Sequence, residues 1–287
     1  MRISKLSNLK NITFVCSMGE QTYSFRDPSF NIDRSTHYTL LIQVSKDSFS
    51  YAIINDKQLI ASGADLKLAE LETPTKLADV LTATYKNTVV GLTTEVFTLV
   101  PAQLFSKDQI ANYAHLLNVK ANELVLAQEL DKKNFIIYKI DERTIAAVQK
   151  FGLNNVVYSG KGWITAAAQN DPSNHNIYLH AENGSAAFLY FKDGDIRFYN
   201  SFKYQTEDDL AYYASLVVAE LGLNAHDVEL KLSSNSTSEE KYNALLVQFF
   251  KDIVLFDPQI LELPTAVNAQ QILTLAALSL CGSSEEF

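Results

Sequence analysis

Twice along this chain, three short runs of apolar and β-branched residues follow one another through tight turns, and helix and strand patterns then alternate behind each trio. A chain written this way is constrained to build two sheets of the same kind. In the first set, residues 38–44, 49–54 and 58–63 read as consecutive antiparallel strands, with Asn55-Asp56 as a turn. Residues 64–81 carry leucines at 66, 68, 71, 77 and 81, which predicts a helix interrupted at Pro74. Residues 87–91 and 96–100 read as strands. Ser106-Lys107-Asp108-Gln109 has the form of a capping box, so a helix follows with Ile110, Tyr113, Ala114 and Leu117 on one face and Asn118 closing it.

After a break placed at residues 119–134 the pattern repeats. Residues 135–138 and 144–148 read as strands and residues 163–169 as a short helix. Residues 177–180, 186–191 and 195–199 form the second trio, with Lys192-Asp193-Gly194 as a hairpin signal. Thr206, with Asp209 three residues on, caps a helix whose apolar face is Leu210, Tyr213, Ala214, Val217 and Leu221, and Gly222 ends it. Residues 228–232 read as a strand. Thr237-Ser238-Glu239-Glu240 is a second capping box, before a helix carrying Tyr242, Leu245, Leu246 and Phe249. Residues 253–256 read as a short strand, and residues 266–280 as a last helix ended by Gly282. The expected fold class is α/β, with two duplicated β-β-β-α-β-α lobes and a cleft between them. Residues 1–36 form an irregular, loosely packed leader, 37–125 the first lobe and 126–287 the second.

Composition narrows the function. With 47% hydrophobic and 20% charged residues, the 287-residue chain buries a core and is not disordered. A net charge of -9, with Lys and Arg scattered, speaks against nucleic acid and against an anionic membrane surface as partners. The longest apolar stretch, residues 272–281, is about half the length of a spanning helix, and the start of the chain lacks a signal-peptide core. The expected location is cytoplasmic, which makes the glycosylation-type triplets at Asn11, Asn183 and Asn235 chance matches. Cys16 and Cys281 allow one disulfide arithmetically but no framework and no zinc site; reduced thiols are the plainer expectation.

Duplicated β-β-β-α-β-α units are the organisation of the actin, Hsp70 and sugar-kinase superfamily. Phe198-Tyr199-Asn200-Ser201-Phe202, followed by the run 206–213, resembles the second lobe of bacterial actin-like proteins of the pilus-assembly PilM and division FtsA type. Val96-Phe97-Thr98-Leu99-Val100-Pro101, followed by Leu104-Phe105, fits the same resemblance. Over residues 38–282 the chain is identified as a member of an uncharacterised bacterial actin-like family, domain-of-unknown-function family 3822. The resemblance implies the actin-like ATPase, ribonuclease H-like fold. It also implies a site between the lobes where active members hold ATP and magnesium on two Asp-x-Gly turns and a glycine-rich adenosine turn.

Each turn aligns without gaps, and each departs from that pattern. In the first lobe Gln43 stands at the Asp position and Ser45 at the Gly position, with Lys46 and Asp47 beside them. In the second lobe His180 and Glu182 take those places, with Gly184 following. Ser233-Ser234-Asn235 stands where paired glycines hold adenosine. A Cβ at a glycine position obstructs the approach of phosphate, and loss of both carboxylates removes the magnesium and water handles. The resemblance therefore implies a pseudo-enzyme: a non-catalytic binding or scaffolding protein with no cofactor, ATP and magnesium remaining possible as a passive structural ligand. PilM-type relatives dock a short peptide of a partner protein, so the expected partner is a protein or peptide, with oligomeric state open. The alternative is a divergent ATPase or phosphotransferase using Asp47, His180 and Glu182; filament-like self-association is a third possibility.

Other clusters carry weaker signals. His180 and Glu182 point the same way on one strand, as an acid/base pair, a metal foothold or simply polar residues at a cleft rim; with five His in the chain the last is preferred. Gly160-Lys161-Gly162-Trp163 lacks the full phosphate-loop pattern and predicts a turn before a helix. Glu207-Asp208-Asp209 suits a first helical turn. Phe198, Tyr199, Phe202, Tyr204, Tyr212 and Tyr213 line either a cleft, a partner surface or, the preferred assignment, the core.

Overall fold

The structure is a computed structural model that describes residues 24–235 and 244–281. A short strand, β1 (Ser24–Arg26), and a 3-10 turn at Ile32–His37 lead into an antiparallel meander of β2 (Thr39–Val44), β3 (Ser48–Asn55) and β4 (Gln58–Lys67). Helices α1 (Leu68–Glu72) and α2 (Ala78–Thr82) connect to β5 (Asn87–Leu92), which lies parallel to β2. The chain then builds a separate small sheet from β6 (Phe97–Pro101), β7 (Glu123–Asp131) and β8 (Asn134–Asp141) in the order β6-β8-β7. Helix α3 (Ile110–Leu116) lies between the first two strands, and α4 (Glu142–Val148) follows the last. Strand β9 (Val156–Tyr158) returns to the first sheet beside β5, and α5 (Gly160–Ala168) leaves it.

The second sheet repeats the first. Strands β10 (Asn176–Glu182), β11 (Ser185–Lys192) and β12 (Asp195–Lys203) form a meander, helix α6 (Glu207–Glu220) crosses over, and β13 (Glu229–Ser234) and β14 (Asp252–Leu255) add in parallel. The last helix, α7 (Ala269–Ala277), follows. With β1 set aside, the five strands of the first sheet run in the order 3-2-1-4-5, and so do the five of the second. In both, strands 1 to 3 are antiparallel and strands 1, 4 and 5 parallel.

Side-chain alternation explains the layers. On β2, Leu40, Ile42 and Val44 pack with Leu68, Leu71, Val80 and Leu81 of the α1–α2 side, while Leu41 faces Leu275, Ala276 and Leu278 at the other end of the chain. On β10, Ile177, Leu179 and Ala181 pack with Leu210, Ala214 and Val217 of α6; Tyr178 joins the cluster of Trp163 and Phe256. Each sheet is thus covered on one face by the helix that follows the other sheet. Those two helices, α5 and α7, cross so closely that a methyl group on Gly162 would lie 2.5 Å from the carbonyl carbon of Ala277.

One aromatic cluster joins all three sheets. Phe97 of the small sheet stacks on Tyr199 of the second at 4.9 Å and tilts against Tyr158 of the first at 5.5 Å; Tyr138 lies 5.4 Å from Tyr158. The Tyr158 and Tyr199 hydroxyls are hydrogen-bonded at 2.7 Å, and burial pushes both phenols above their ordinary range.

Several expectations are corrected. Residues 24–36 are not a loose leader: β1 pairs with β4, Phe30 is buried, and Arg26 sits 4.9 Å over its ring. Residues 144–148 are helix, not strand. The Asp141 carboxylate caps α4 by accepting from Arg143 N, and the buried Thr144, Ala147 and Val148 have helical spacing that prevails over β-branching. Residues 119–134 are no break, because they contain the nine-residue β7. A lobe boundary at 125 would cut that strand and separate β9 and α7 from the first sheet they complete. Residues 64–67 extend β4, and the helix after them is split into α1 and α2. The Ser106 side chain makes no cap bond, although Asn118, at φ 49°, does end its helix. At the second helix expected to carry Phe249, it is Phe250 that is buried. Cys16, the Thr237–Glu240 box, Tyr242 and Gly282 lie outside the described residues.

Candidate functional site

The first candidate turn joins β2 to β3. Ser45 N donates to Ser48 O at 2.8 Å, and the Asp47 carbonyl accepts from Leu68 N at 3.0 Å, so the turn is held by one backbone bond within it and one from the start of α1. Ser45 is half-buried, and Lys46 and Asp47 are exposed. Gln43 lies inside, 9% exposed, and its Oε1 accepts from the hydroxyl of Thr274 on α7 at 3.0 Å. At the position where the resemblance places a metal-handling carboxylate, this chain has an amide already bonded to its own last helix.

The second and third candidate turns lie side by side, because β10 and β13 are parallel with His180 opposite Ser233 and Ala181 opposite Ser234. His180 Nδ1 is 2.9 Å from Ser233 Oγ, and its Nε2 is 3.4 Å from Glu182 Oε2. Glu182 Oε1 accepts from Asn235 Nδ2 at 2.9 Å, which closes the row. A proton on Nε2 facing the carboxylate leaves Nδ1 to accept from Ser233. The Trp163 ring lies 5.8 Å from the imidazole and covers it. Ser233 is 0% exposed, with its hydroxyl also 3.4 Å from the Leu179 carbonyl, so this Ser-His-Glu row has no accessible nucleophile. Ser234 N donates to Gln270 Oε1 at 3.2 Å, again on α7.

Gly184 belongs to a hairpin turn. Asn183 at φ 49° and Gly184 at φ 75° are both left-handed between the paired Glu182 and Ser185, the conformation that an Asn-Gly pair adopts most readily. Four of the sequence-derived positions, His180, Glu182, Ser233 and Asn235, therefore meet in one network. Gln43 and Ser234 are tied to α7, and Ser45, Lys46, Asp47 and Gly184 are turn residues. No hydrogen bond or ion pair among the described residues joins Asp47 to His180 or Glu182; the Asp47 charge acts on Arg143, which pairs with Glu72 at 2.7 Å.

These residues do not fit a magnesium–ATP pair. The Asp positions hold an amide and an imidazole, both bonded within the protein. The adenosine turn begins with two buried serines. Among the described residues, no three His, Cys, Asp or Glu side chains group as metal ligands. Gly160-Lys161-Gly162-Trp163 is the first turn of α5 itself: its glycines admit the Tyr199 hydroxyl and the α7 backbone, and Lys161 Nζ donates to Glu129 O at 2.9 Å. The Glu207-Asp208-Asp209 run forms a complete capping box with Thr206. Of the aromatic set, Tyr199 is core, Phe198, Phe202, Tyr204 and α6's own Tyr213 pack against the core between α6 and the second sheet, and Tyr212 is 63% exposed. Sequence reasoning missed Gln270 and Thr274. Their signal was two polar residues four apart, on one face of a helix that is apolar except for these two and Gln271.

Two sheets of identical 3-2-1-4-5 order, each covered by the helix that follows the other, make this a protein of the actin-like ATPase fold. The chain belongs to the family described as "Protein of unknown function (DUF3822)", which it matches over residues 27–253. A solved protein of Bacteroides thetaiotaomicron VPI-5482, with actin-like ATPase fold and unknown function, superposes with a TM-score of 0.72 at 22% identity, over 86% of this chain and 98% of that one. A chain of the PilM-PilN type IV pilus biogenesis complex superposes with a TM-score of 0.61 at 10% identity, over 85% and 98%. No curated protein matches the chain. Among the described residues, no helix is long and apolar enough to cross a membrane.

Proposed function

We propose that this protein is a non-catalytic, actin-like binding or scaffolding protein whose partner is another protein or peptide. The observation that carries this reading is the commitment of the nucleotide-site positions to internal bonds: Gln43 to Thr274, Ser234 to Gln270, and His180 to Ser233 and Glu182. The side chains at the two Asp positions, Gln43 and His180, are spent inside the fold, and spent polar groups cannot be redirected without leaving a buried partner unpaired. The similar PilM chain was solved in a complex with PilN, which supports a protein as the partner class. Steady-state phosphate release from ATP with magnesium tests the lack of catalysis. The expected result is release equal to the buffer blank. Turnover above the blank that Glu182→Gln abolishes would establish the divergent ATPase instead.

A further inference from the structure

We infer that helix α7 is a built-in latch that fixes the two sheets relative to one another by hydrogen-bonding two strand ends of the second and the central strand of the first. Gln270 and Thr274 lie four residues apart and so share a helix face. Gln270 is 6% exposed, and its amide reaches two strand ends of the second sheet: Oε1 accepts from Ser234 N at 3.2 Å, and Nε2 donates to Phe256 O at 3.0 Å. One turn on, Thr274 Oγ1 donates to Gln43 Oε1 on the central strand of the first sheet.

The rest of the segment holds this helix in place. Before it, Leu59 N donates to Glu262 O at 3.1 Å and Glu262 N to Lys57 O at 2.8 Å, so the strap leaving the second sheet is pinned to the β3–β4 turn of the first. Asn268 caps α7 by accepting from Gln270 N at 2.9 Å. Leu275, Ala276 and Leu278 fill the apolar face of the first sheet, while Leu273 belongs to the cluster that contains Phe256. Apolar contacts alone leave a helix able to slide by a fraction of a turn. Buried directional bonds on both sides select one register, since any other leaves an amide or hydroxyl unpaired. The sheets are thereby joined by the chain's own side chains at the positions where this fold would otherwise present groups to a nucleotide. The latch is separable from the absence of catalysis: an ATPase carrying it would satisfy the test below and fail the phosphate assay.

Amide hydrogen exchange read by mass spectrometry on the full chain tests this, using Gln270→Met with Thr274→Val, which keep size and remove the polar bonds. The expected result is exchange about tenfold faster in residues 43–45, 234–235 and 256–281, with α6 and the β10–β11 hairpin as in the parent. Unchanged exchange in the three segments, or an equal rise along the whole chain, would overturn the latch. Should the double variant not fold, Thr274→Val alone decides: a rise of about fivefold confined to residues 43–45 and 274–281 supports the latch, and no rise there refutes it. Thr274→Ser, which retains the hydroxyl, is expected to exchange like the parent.

Discussion

Gly162→Ala separates what this structure predicts from what helix propensity alone predicts. Gly162 lies inside α5, where alanine is favoured over glycine by about 1 kcal/mol, so an isolated helix would gain stability. Here the new Cβ would lie 2.5 Å from the carbonyl carbon of Ala277 and 2.9 Å from Leu278 N, closer still to the Ala277 oxygen. These are backbone atoms of the crossing helix and cannot rotate away. The helices must part by something near 1 Å, which loosens the packing of Leu275, Ala276 and Leu278 on the first sheet; overpacking of this kind costs about 3 kcal/mol. Set against the propensity gain, the net loss is about 2 kcal/mol, or a Tm lower by roughly 4 °C in a chain of this size. Differential scanning calorimetry, with urea unfolding as a second measure, reads the effect. A Tm equal to or above that of the parent would refute the close crossing of α5 and α7.

Three other perturbations probe separate parts of the structure. Tyr199→Phe keeps the stack on Phe97 but removes the hydrogen-bond partner of the buried Tyr158 hydroxyl, so urea unfolding should show a loss of about 1–3 kcal/mol, with the double change to Phe at both positions costing less than twice the single. The Glu70 carboxylate, held at about 2 by bonds from Leu77 N, Thr75 and Lys76 N, stabilises the α1–α2 loop in its charged form. Because its folded value is depressed, that contribution is complete above pH 4.5 and disappears as pH falls toward 2; the protection of the amides at 75–77, taken relative to the exchange rate of the unstructured chain at each pH, should fall through that window, and Glu70→Gln should remove that fall. Gly184→Ala places a Cβ at φ 75° and 3.3 Å from the Tyr204 carbonyl, so calorimetry should show a loss of about 1–2 kcal/mol.

The duplicated order was legible because its signals are local. Asp193-Gly194 adopts the left-handed pair a tight hairpin needs, Thr206 and Asp209 form the full capping box, and the apolar runs of β2 and β10 are buried on both faces. Tertiary context decided the failures. Thr144, Ile145 and Val148 have strand-like side chains, yet the Asp141 cap and a buried helical stripe win. β7 mixes polar and apolar residues because most of its positions are only half-buried in a small sheet, so its periodicity is blurred. β9 is three residues long and follows an insertion of three strands and two helices, too far from β5 in sequence for any pattern to assign it to the first sheet. At the candidate site, residue identity located His180, Glu182, Ser233 and Asn235, but only the parallel register of β10 and β13 shows that they satisfy one another. The role of Gln43 depended on Thr274, which lies at the other end of the chain.

Isothermal titration of the full chain with ATP in excess magnesium tests the central claim most directly, since Gln43, Ser234 and the His180–Glu182 row are held within the fold. The predicted result is no saturable heat at millimolar nucleotide. A one-to-one isotherm with a micromolar Kd, weakened when Gln43 or Glu182 is replaced by alanine, would show that these positions still receive a nucleotide and would contradict the account.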